Sequence, residues 1–283
     1  MKDFLLASIG RLDLAVWLLV ILFFCGSALL FHGDLHMAFI GSAGIIVEMM
    51  LIGLSIEILI ESLKTTKGIG TITGFITNGP EAICLIVGLV AGDIIFAAST
   101  PLGSNLMNPI LLFFAATICG QLSRTFNTSR RYTVMTISLT VALAITFFFL
   151  PERYYLPWLL LSLIITMVLF FLRPAENKKT DEEETEIPSI IRWFIPSLLI
   201  LTGAGYFLDP VVTFTSTHSH TPKGVIGFLV LATLTSWPEF KSCLALLARR
   251  KHLAAILNIT VSNITNIWLA LVGIGLHLLR VGG

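Results

Sequence analysis

Long apolar runs separated by short polar stretches occupy most of this chain. Each run is close to the ~20 residues that a helix needs to cross a membrane. The pattern predicts nine transmembrane helices, at 12–31, 37–63, 69–96, 101–120, 132–150, 155–172, 190–208, 222–248 and 252–279. We therefore predict an all-α integral membrane protein, in which several spans are long enough to tilt or break. Asp93 and Asp209 are expected at span ends.

The longest polar stretch, RPAENKKTDEEETEIPS at 173–189, divides the chain. We interpret it as an acidic, flexible linker on the cytoplasmic side. It separates an N-terminal membrane half, 1–172, from a C-terminal membrane half, 190–283. The first half holds one more span ahead of its polar motifs than the second half does.

Composition and charge agree with a membrane protein. Hydrophobic residues make up 55% of the chain and charged residues 12%, whereas soluble domains carry about 25% charged residues. If the N-terminus is cytoplasmic, the inside loops hold 14 Lys and Arg residues and the outside loops hold three. The positive-inside rule then predicts a cytoplasmic N-terminus and linker and an outside C-terminus. We expect a multi-pass protein of a bacterial inner (cell) membrane.

Two polar motifs recur inside the apolar runs at a constant offset of 158 residues. TNGPE at 77–81 matches TSWPE at 235–239, and SNLMN at 104–108 matches SNITN at 262–266. Chance similarity between apolar spans would pair Leu with Leu, not Pro-Glu with Pro-Glu. The predicted topology runs the two copies in opposite directions. Inverted repeats with broken helices are typical of secondary transporters.

The repeated residues suit a cation. An ionisable residue within a span costs at least about 2.5 kcal/mol on insertion scales, so two at equivalent positions, Glu81 and Glu239, indicate a function. Residues four apart share a helix face, which groups Thr77 with Glu81, Thr235 with Glu239, Ser104 with Asn108, and Ser262 with Asn266. Carboxylate, hydroxyl and amide oxygens favour hard cations such as Ca²⁺, Na⁺ or Mn²⁺.

On these motifs the sequence resembles the sodium/calcium exchanger family of the cation/Ca²⁺ exchanger superfamily, as a divergent member. The resemblance implies two alpha repeats, at about 69–120 and 222–279. It implies that both motif glutamates bind the transported ions as metal ligands, with neighbouring polar groups completing the sites. The implied ion-binding residues are Thr77, Asn78, Glu81, Ser104, Asn108, Thr235, Ser236, Glu239, Ser262 and Asn266.

Several residues set this chain apart from the family pattern or could modulate the site. Asn78 replaces a usual Ser, and Asn266 stands where an Asp is frequent. The resemblance makes the span of Glu48 the sliding gate beside the site. Lys241 follows Glu239 by two residues, about 200° around the helix, so we expect it to pair away from the site. Asn105 and Asn263 are further candidates for gating or modulation.

We expect a secondary antiporter that exchanges Ca²⁺, or a similar divalent cation, for Na⁺ or H⁺ by alternating access. The sequence contains no nucleotide-binding loop, zinc motif or nucleophile elbow, so we expect neither an enzyme nor a cofactor beyond the transported ions. The expected partners are the lipid bilayer and the cations, with no nucleic acid; a homodimer that completes the helix bundle stays open. The alternative is a proton-coupled exporter of a larger organic or metal-chelating solute, which the asparagines and Lys241 would suit.

Overall fold

The structure is a computed structural model that describes residues 11–63, 78–175 and 194–282. All regular structure in these residues is helical. The helices are α1 Arg11–Leu30, α2 Leu35–Leu63, α3 Gly79–Val90, α4 Ile94–Ile118, α5 Leu122–Asn127, α6 Arg130–Phe147, α7 Tyr155–Phe171, α8 Phe194–Ser219, α9 Lys223–Val225, α10 Ala232–Thr235, α11 Trp237–Ala248 and α12 His252–Gly282. A 3₁₀ turn, Glu152–Tyr154, precedes α7, and a π-helical segment, Ile226–Leu231, joins α9 to α10.

Six stretches in the described residues are long and apolar enough to cross a membrane. They are Arg11–Leu30, Leu35–Ser55, Ile94–Ile118, Glu152–Phe171, Ile195–Ser219 and His252–Arg280. The protein is therefore a helical, multi-pass integral membrane protein, as the apolar pattern predicts. The total of nine spans and the inverted arrangement of the two repeats stay predictions.

Two span boundaries differ from those expected. The seventh span was predicted to end at 208, but α8 continues through Asp209 and Pro210 to Ser219. Asp209 therefore lies within α8 and not at a span end. Its charge is offset by Lys223, whose Nζ lies 2.8 Å from Asp209 Oδ1. α4 begins at Ile94 and includes Pro101, whereas the prediction began at 101. Asp93 does lie at an end: it caps α4 by accepting a hydrogen bond from Phe96 N at 2.9 Å.

Helices α4 and α12, which carry the two SNxxN motifs, form the centre of the molecule. They pack against each other. The apolar stretch of α12 is 72% buried, a larger share than in any other candidate span of the described residues. On one side, α2 and α8 pack along each other and bury Ile45 against Leu208 and Val212. On another side, α6 and α7 cover α4 and α12, with Trp158 and Phe147 in their core.

The π-helical segment lies against α4 at very close range. A Cβ on Gly103 of α4 would lie 2.2 Å from the carbonyl oxygen of Phe228, and a Cβ on Gly227 would lie 1.7 Å from Ser99 Oγ. Glycine at both positions allows one helix backbone to approach the other directly. This contact brings α10, which follows the π-helical segment, onto α4 and beside the first SNxxN motif.

Candidate cation site

Helices α3 and α11 carry the two Pro-Glu motifs and begin in the same way. Pro80 and Pro238 each occupy the first turn, where a proline's missing N–H costs no helical hydrogen bond. Glu81 and Glu239 follow directly, also within the first turn, where the positive end of the helix dipole favours a carboxylate. Both carboxylates are fully buried. The sequence thus positions each glutamate at a helix start in the buried interior of the protein.

The second motif helix is separated from α10 by a single residue. α10 ends at Thr235, Ser236 is not helical, and α11 starts at Trp237. This break lies two residues before Pro238. The predicted interruption of the eighth span is therefore present, although it is only one residue long. The equivalent residues before α3 can be followed only from Asn78, because Thr77 lies outside the described residues.

Glu81 is joined to the C-terminal half by two hydroxyls. Ser104 Oγ donates to Glu81 Oε1 at 3.0 Å. The same hydroxyl lies 3.2 Å from Thr235 Oγ1, which ends α10. The other carboxylate oxygen, Glu81 Oε2, is buried and has no hydrogen-bond partner among the described residues. One oxygen of Glu81 is thus held by the protein while the other is available to a ligand.

Ser262 occupies the corresponding place beside Glu239. Its Oγ donates to Asn78 Oδ1 at 2.7 Å and lies 3.4 Å from Glu239 Oε1. A hydroxyl has one proton, so the shorter contact with Asn78 is the stronger hydrogen bond. Asn108 Nδ2 donates back to Ser262 Oγ at 3.0 Å. Ser262 therefore connects residues of both halves to the second carboxylate.

Asparagines complete the polar cluster between the halves. Asn78 Nδ2 donates to the Ser262 carbonyl oxygen at 3.1 Å and also to the hydroxyl of Thr265. Asn108 Nδ2 donates to Asn263 Oδ1 at 3.0 Å. Asn263 Nδ2 in turn donates to the Asn105 carbonyl oxygen at 3.2 Å. These bonds use the amide N–H groups of all three asparagines, and the side-chain oxygen of Asn108 has no hydrogen-bond partner among the described residues.

Several buried oxygens of the cluster have no hydrogen-bond partner among the described residues. They are Glu81 Oε2, Asn108 Oδ1, Ser236 Oγ and Asn266 Oδ1. A buried polar group left unpaired costs about 1–3 kcal/mol, so a group of such atoms requires a ligand or solvent to offset the cost. Oxygen atoms in this number and chemistry could coordinate a hard cation.

The structure brings most of the predicted ion-binding residues together. Hydrogen bonds connect Glu81, Ser104 and Thr235 in one group, and Asn78, Asn108, Glu239 and Ser262 in another. Ser236 and Asn266 are buried, but their side-chain oxygens make none of these bonds. Of the modulating candidates, Asn263 is within the network through its side chain and Asn105 through its carbonyl oxygen.

Glu48 and Lys241 lie outside this network. Glu48 is half-buried on α2, and its Oε2 has no hydrogen-bond partner in the described ranges. Lys241 Nζ pairs with Asp13 Oδ1 of α1 at 2.8 Å, so the expectation that it pairs elsewhere agrees with its position. No contact between either side chain and the motif glutamates is seen in the described residues.

Sequence reasoning missed several contributing residues. Thr265 and Thr140 accept hydrogen bonds from Asn78 and Asn263, but isolated threonines in apolar spans give no signal. Asn258 donates to the Glu239 carbonyl oxygen at 3.4 Å. Its signal was present: it lies one helical turn before Ser262 and 158 residues after Thr100, so the repeated polar face extends by one turn.

A bound cation would depend on few charged ligands. Within the described ranges, no three or more His, Cys, Asp or Glu residues are clustered to hold a metal ion. The two glutamates would supply the formal charge, while hydroxyl and amide oxygens would complete the coordination. Ligands of this kind fit Ca²⁺ or Na⁺ better than soft transition metals.

Comparison with known families agrees with this arrangement. The family model described as sodium/calcium exchanger protein matches residues 189–280. These residues of the chain are therefore similar to the sodium/calcium exchanger family. The match includes the second Pro-Glu motif, its SNxxN partner and helices α10 to α12, or about a third of the chain. No curated protein matches the chain.

The match to the sodium/calcium exchanger family supports cation exchanger-type transport as the general class of activity. The family comprises transporters of the cation exchanger type, which agrees with the expectation that the chain is not an enzyme. The first motif pair lies outside the matched residues. It repeats the matched motif pair at an offset of 158 residues, and its residues form hydrogen bonds with residues of the matched half.

Proposed function

We propose that this protein is a secondary antiporter that exchanges Ca²⁺, or a similar divalent cation, for Na⁺ or H⁺ by alternating access. Glu81 and Glu239 would bind the ions in turn, so that neither carboxylate is left bare within the membrane. The hydroxyls of Ser104, Thr235 and Ser262 would act as further ligands or hold the carboxylates. The observation that carries the proposal is the buried polar cluster built from both Pro-Glu motifs.

The charge of the cluster favours an electroneutral exchange. Two carboxylates balance one divalent cation or two monovalent cations. A site that alternates between these occupants keeps its total charge constant and avoids the cost of an uncompensated charge in a low-dielectric environment. Asn108 and Asn266 coordinate through neutral oxygens and add no charge. We therefore expect two monovalent ions to be exchanged for each divalent ion.

The paired motifs also support alternating access. Residues of the first motif pair contact residues of the second: Ser104 with Thr235, and Asn108 with Ser262. A site shared between two halves can open to one side or the other when the halves move. We propose a cytoplasmic N-terminus and an outside C-terminus, on the distribution of Lys and Arg. We also propose that the two repeats are inverted.

The alternative is a proton-coupled exporter of a larger organic or metal-chelating solute. The amides of Asn78, Asn108 and Asn266 favour it, because they make the site less acidic than one in which carboxylates stand at these positions. Lys241 adds less support than the sequence alone suggested, since Asp13 balances its charge. The two candidates differ in whether an inorganic divalent ion alone is transported.

The decisive experiment is ⁴⁵Ca²⁺ uptake into proteoliposomes that contain the purified protein. Uptake would be driven by an outward Na⁺ gradient in one series and by an outward H⁺ gradient in another. Wild type would be compared with Glu81→Gln and Glu239→Gln, which keep the side-chain shape but remove the charge. Glu152→Gln is the matched control, because Glu152 is exposed in the turn before α7.

We expect one of the two gradients to drive uptake by wild type and by the Glu152→Gln variant. Either motif substitution should abolish it. The gradient that works identifies the coupling ion. Folded wild-type protein that takes up no Ca²⁺ or other divalent ion under either gradient would contradict the proposal and favour the organic solute. Equal uptake by wild type and both motif variants would exclude the two carboxylates as ion ligands.

A further inference from the structure

Asp13 of α1 lies against the second motif helix, although α1 belongs to neither repeat. Its Oδ1 accepts a hydrogen bond from Trp237 Nε1 at 2.7 Å and lies 2.8 Å from Lys241 Nζ. These contacts connect residues more than 220 positions apart in the chain. The Asp13 side chain is 8% exposed, whereas that of Lys241 is 42% exposed. An almost buried carboxylate therefore holds two donors from one turn of α11.

The two donors flank the proposed ion ligand. Trp237 comes two residues before Glu239 and Lys241 two residues after it. The Trp237 ring also packs on Phe240, with ring centroids 4.7 Å apart. Contacts made by the residues two positions before and two positions after Glu239 therefore hold the start of α11 against α1. Any rotation of this turn would break the indole hydrogen bond, the ion pair or both.

The other end of α1 is also attached to the C-terminal half. Ser27 Oγ lies 2.7 Å from Thr221 Oγ1 and donates to the Ser219 carbonyl oxygen at 3.1 Å. Ser219 ends α8, and Thr221 lies in the turn that leads to α9. α1 therefore connects the end of α8 to the motif helix α11 along the side of the bundle.

We propose that Asp13 is a positioning residue for the cation site: it holds the first turn of α11 and balances the charge of Lys241. With Asp13 in place, the positive charge of Lys241 is offset. It then does not weaken the electrostatic attraction between Glu239 and the transported ion. Without Asp13, the positive charge of Lys241, two residues from Glu239, would lose the counter-charge that Asp13 supplies, and the affinity of the site for divalent ions would fall. The proposal rests on the proposed function only for its transport measurement.

The transport test separates charge from shape. Asp13→Asn keeps an oxygen that can accept from Trp237 but removes the negative charge. We expect it to raise the KM for Ca²⁺ uptake about fivefold, with a smaller change in maximal rate, as expected for lost ground-state binding. Adding Lys241→Gln to this variant should restore most of the affinity, because the positive charge that Asp13 offsets in the wild type is then absent as well. Coupled neighbours show such non-additivity in double-mutant cycles.

The matched control is the other ion pair of the described residues, Asp209 with Lys223, which has the same 2.8 Å separation. It joins α8 to α9 and is away from both motifs. Asp209→Asn, alone or with Lys223→Gln, should leave the KM for Ca²⁺ unchanged. An unchanged KM in Asp13→Asn, or no recovery in the double variant, would overturn the proposed role in charge balance.

A second measurement does not depend on the transported ion. Cys243 lies on α11 and is fully buried. In protein whose other three cysteines are replaced by serine, Asp13→Ala should increase the rate of maleimide labelling of Cys243 several-fold, because both anchoring contacts are lost. Trp237→Phe should give an intermediate rate. Protection equal to wild type in both variants would overturn the anchoring role, even if the protein proved not to transport Ca²⁺.

Discussion

Ser262 Oγ donates a hydrogen bond to Asn78 Oδ1 at 2.7 Å, across 184 positions of sequence. Asn78 directly precedes the first motif helix, yet its side chain does not cap that helix. Instead it binds the serine that lies beside the carboxylate of the other half. A polar residue of one repeat therefore contributes to the surroundings of the glutamate in the other repeat.

Replacing Ser262 tests this shared position. Ser262→Ala removes one hydrogen bond to Asn78, one from Asn108 and the contact with Glu239. Losing partners of buried polar groups costs about 1–3 kcal/mol, so we expect the KM for Ca²⁺ to rise about tenfold or more. The KM would be measured by ⁴⁵Ca²⁺ uptake in proteoliposomes.

The control for this variant lies on the same helix. Thr260→Val also removes a buried hydroxyl, but that hydroxyl donates to the backbone of its own helix, at Ile256 O, and not to a motif residue. We expect it to leave the KM within about twofold, in line with the small net value of such a bond. Equal effects from both variants would show that Ser262 acts on helix stability rather than on the ion site.

The negative charge of the site can be increased by substituting Asn266. Its buried amide makes no hydrogen bond within the described residues. Asn266→Asp would add a third carboxylate, and we expect an additional monovalent ion to be exchanged for each divalent ion. Uptake by wild type should then be independent of an imposed membrane voltage, while uptake by the variant should depend on it.

Asn127→Asp provides the comparison, since Asn127 is exposed on α5. It adds the same charge away from the site and should leave uptake independent of voltage. Voltage dependence in the wild-type protein itself would contradict the electroneutral exchange that we propose.

The close contact between α4 and the π-helical segment predicts a strong effect of one methyl group. Gly103→Ala would place a Cβ against a backbone oxygen that cannot move without its helix. Overpacking of this kind costs about 1–3 kcal/mol, and we expect a lower melting temperature in detergent. Gly53→Ala, with open space around its Cβ, should be neutral or stabilising by up to about 1 kcal/mol. A Gly103→Ala melting temperature equal to that of Gly53→Ala would disprove the contact.

The predicted orientation can be tested with two exposed positions. In protein whose four native cysteines are replaced, Ser123→Cys and Glu152→Cys each introduce one accessible thiol. A membrane-impermeant maleimide added to intact cells should label the cysteine at 152 and reach the one at 123 only after lysis. The reverse result would invert the topology, and labelling of both would contradict a fixed orientation.

Much of the candidate site could be predicted from the sequence. The Pro-Glu and SNxxN motifs, repeated at one offset, predicted as ion-binding residues Glu81, Ser104, Asn108, Glu239 and Ser262. Polar residues are costly in a membrane, so their repetition indicates a function. Their hydrogen bonds to one another run between helices, so the shared helix faces grouped the residues on each helix but did not give their partners. Thr77 and residues 176–189 of the linker lie outside the described residues, so the predictions made for them stay predictions.

Other features could not be predicted, because their signals are weak or not local. Asp13 is one acidic residue near the start of an apolar run, and its partners Trp237 and Lys241 are far away in sequence. Asp209 suggested a span end, because its distant counter-ion could not be inferred from hydropathy. The π-helical segment IGFLVL is an ordinary apolar stretch, and its close contact with Gly103 joins residues that are far apart in sequence.

The close helix contact at Gly103 and Phe228 has a mechanical consequence. Helices usually resist displacement along each other because side-chain ridges of one fit between those of the other. At this crossing the side chains nearest to the two glycines are short, those of Ser99, Thr100 and Ala232, so dispersion opposes separation but only low ridges oppose a shift along the surface. We therefore expect the contact beside the first SNxxN motif to hold the two helices together and still to allow one to shift along the other.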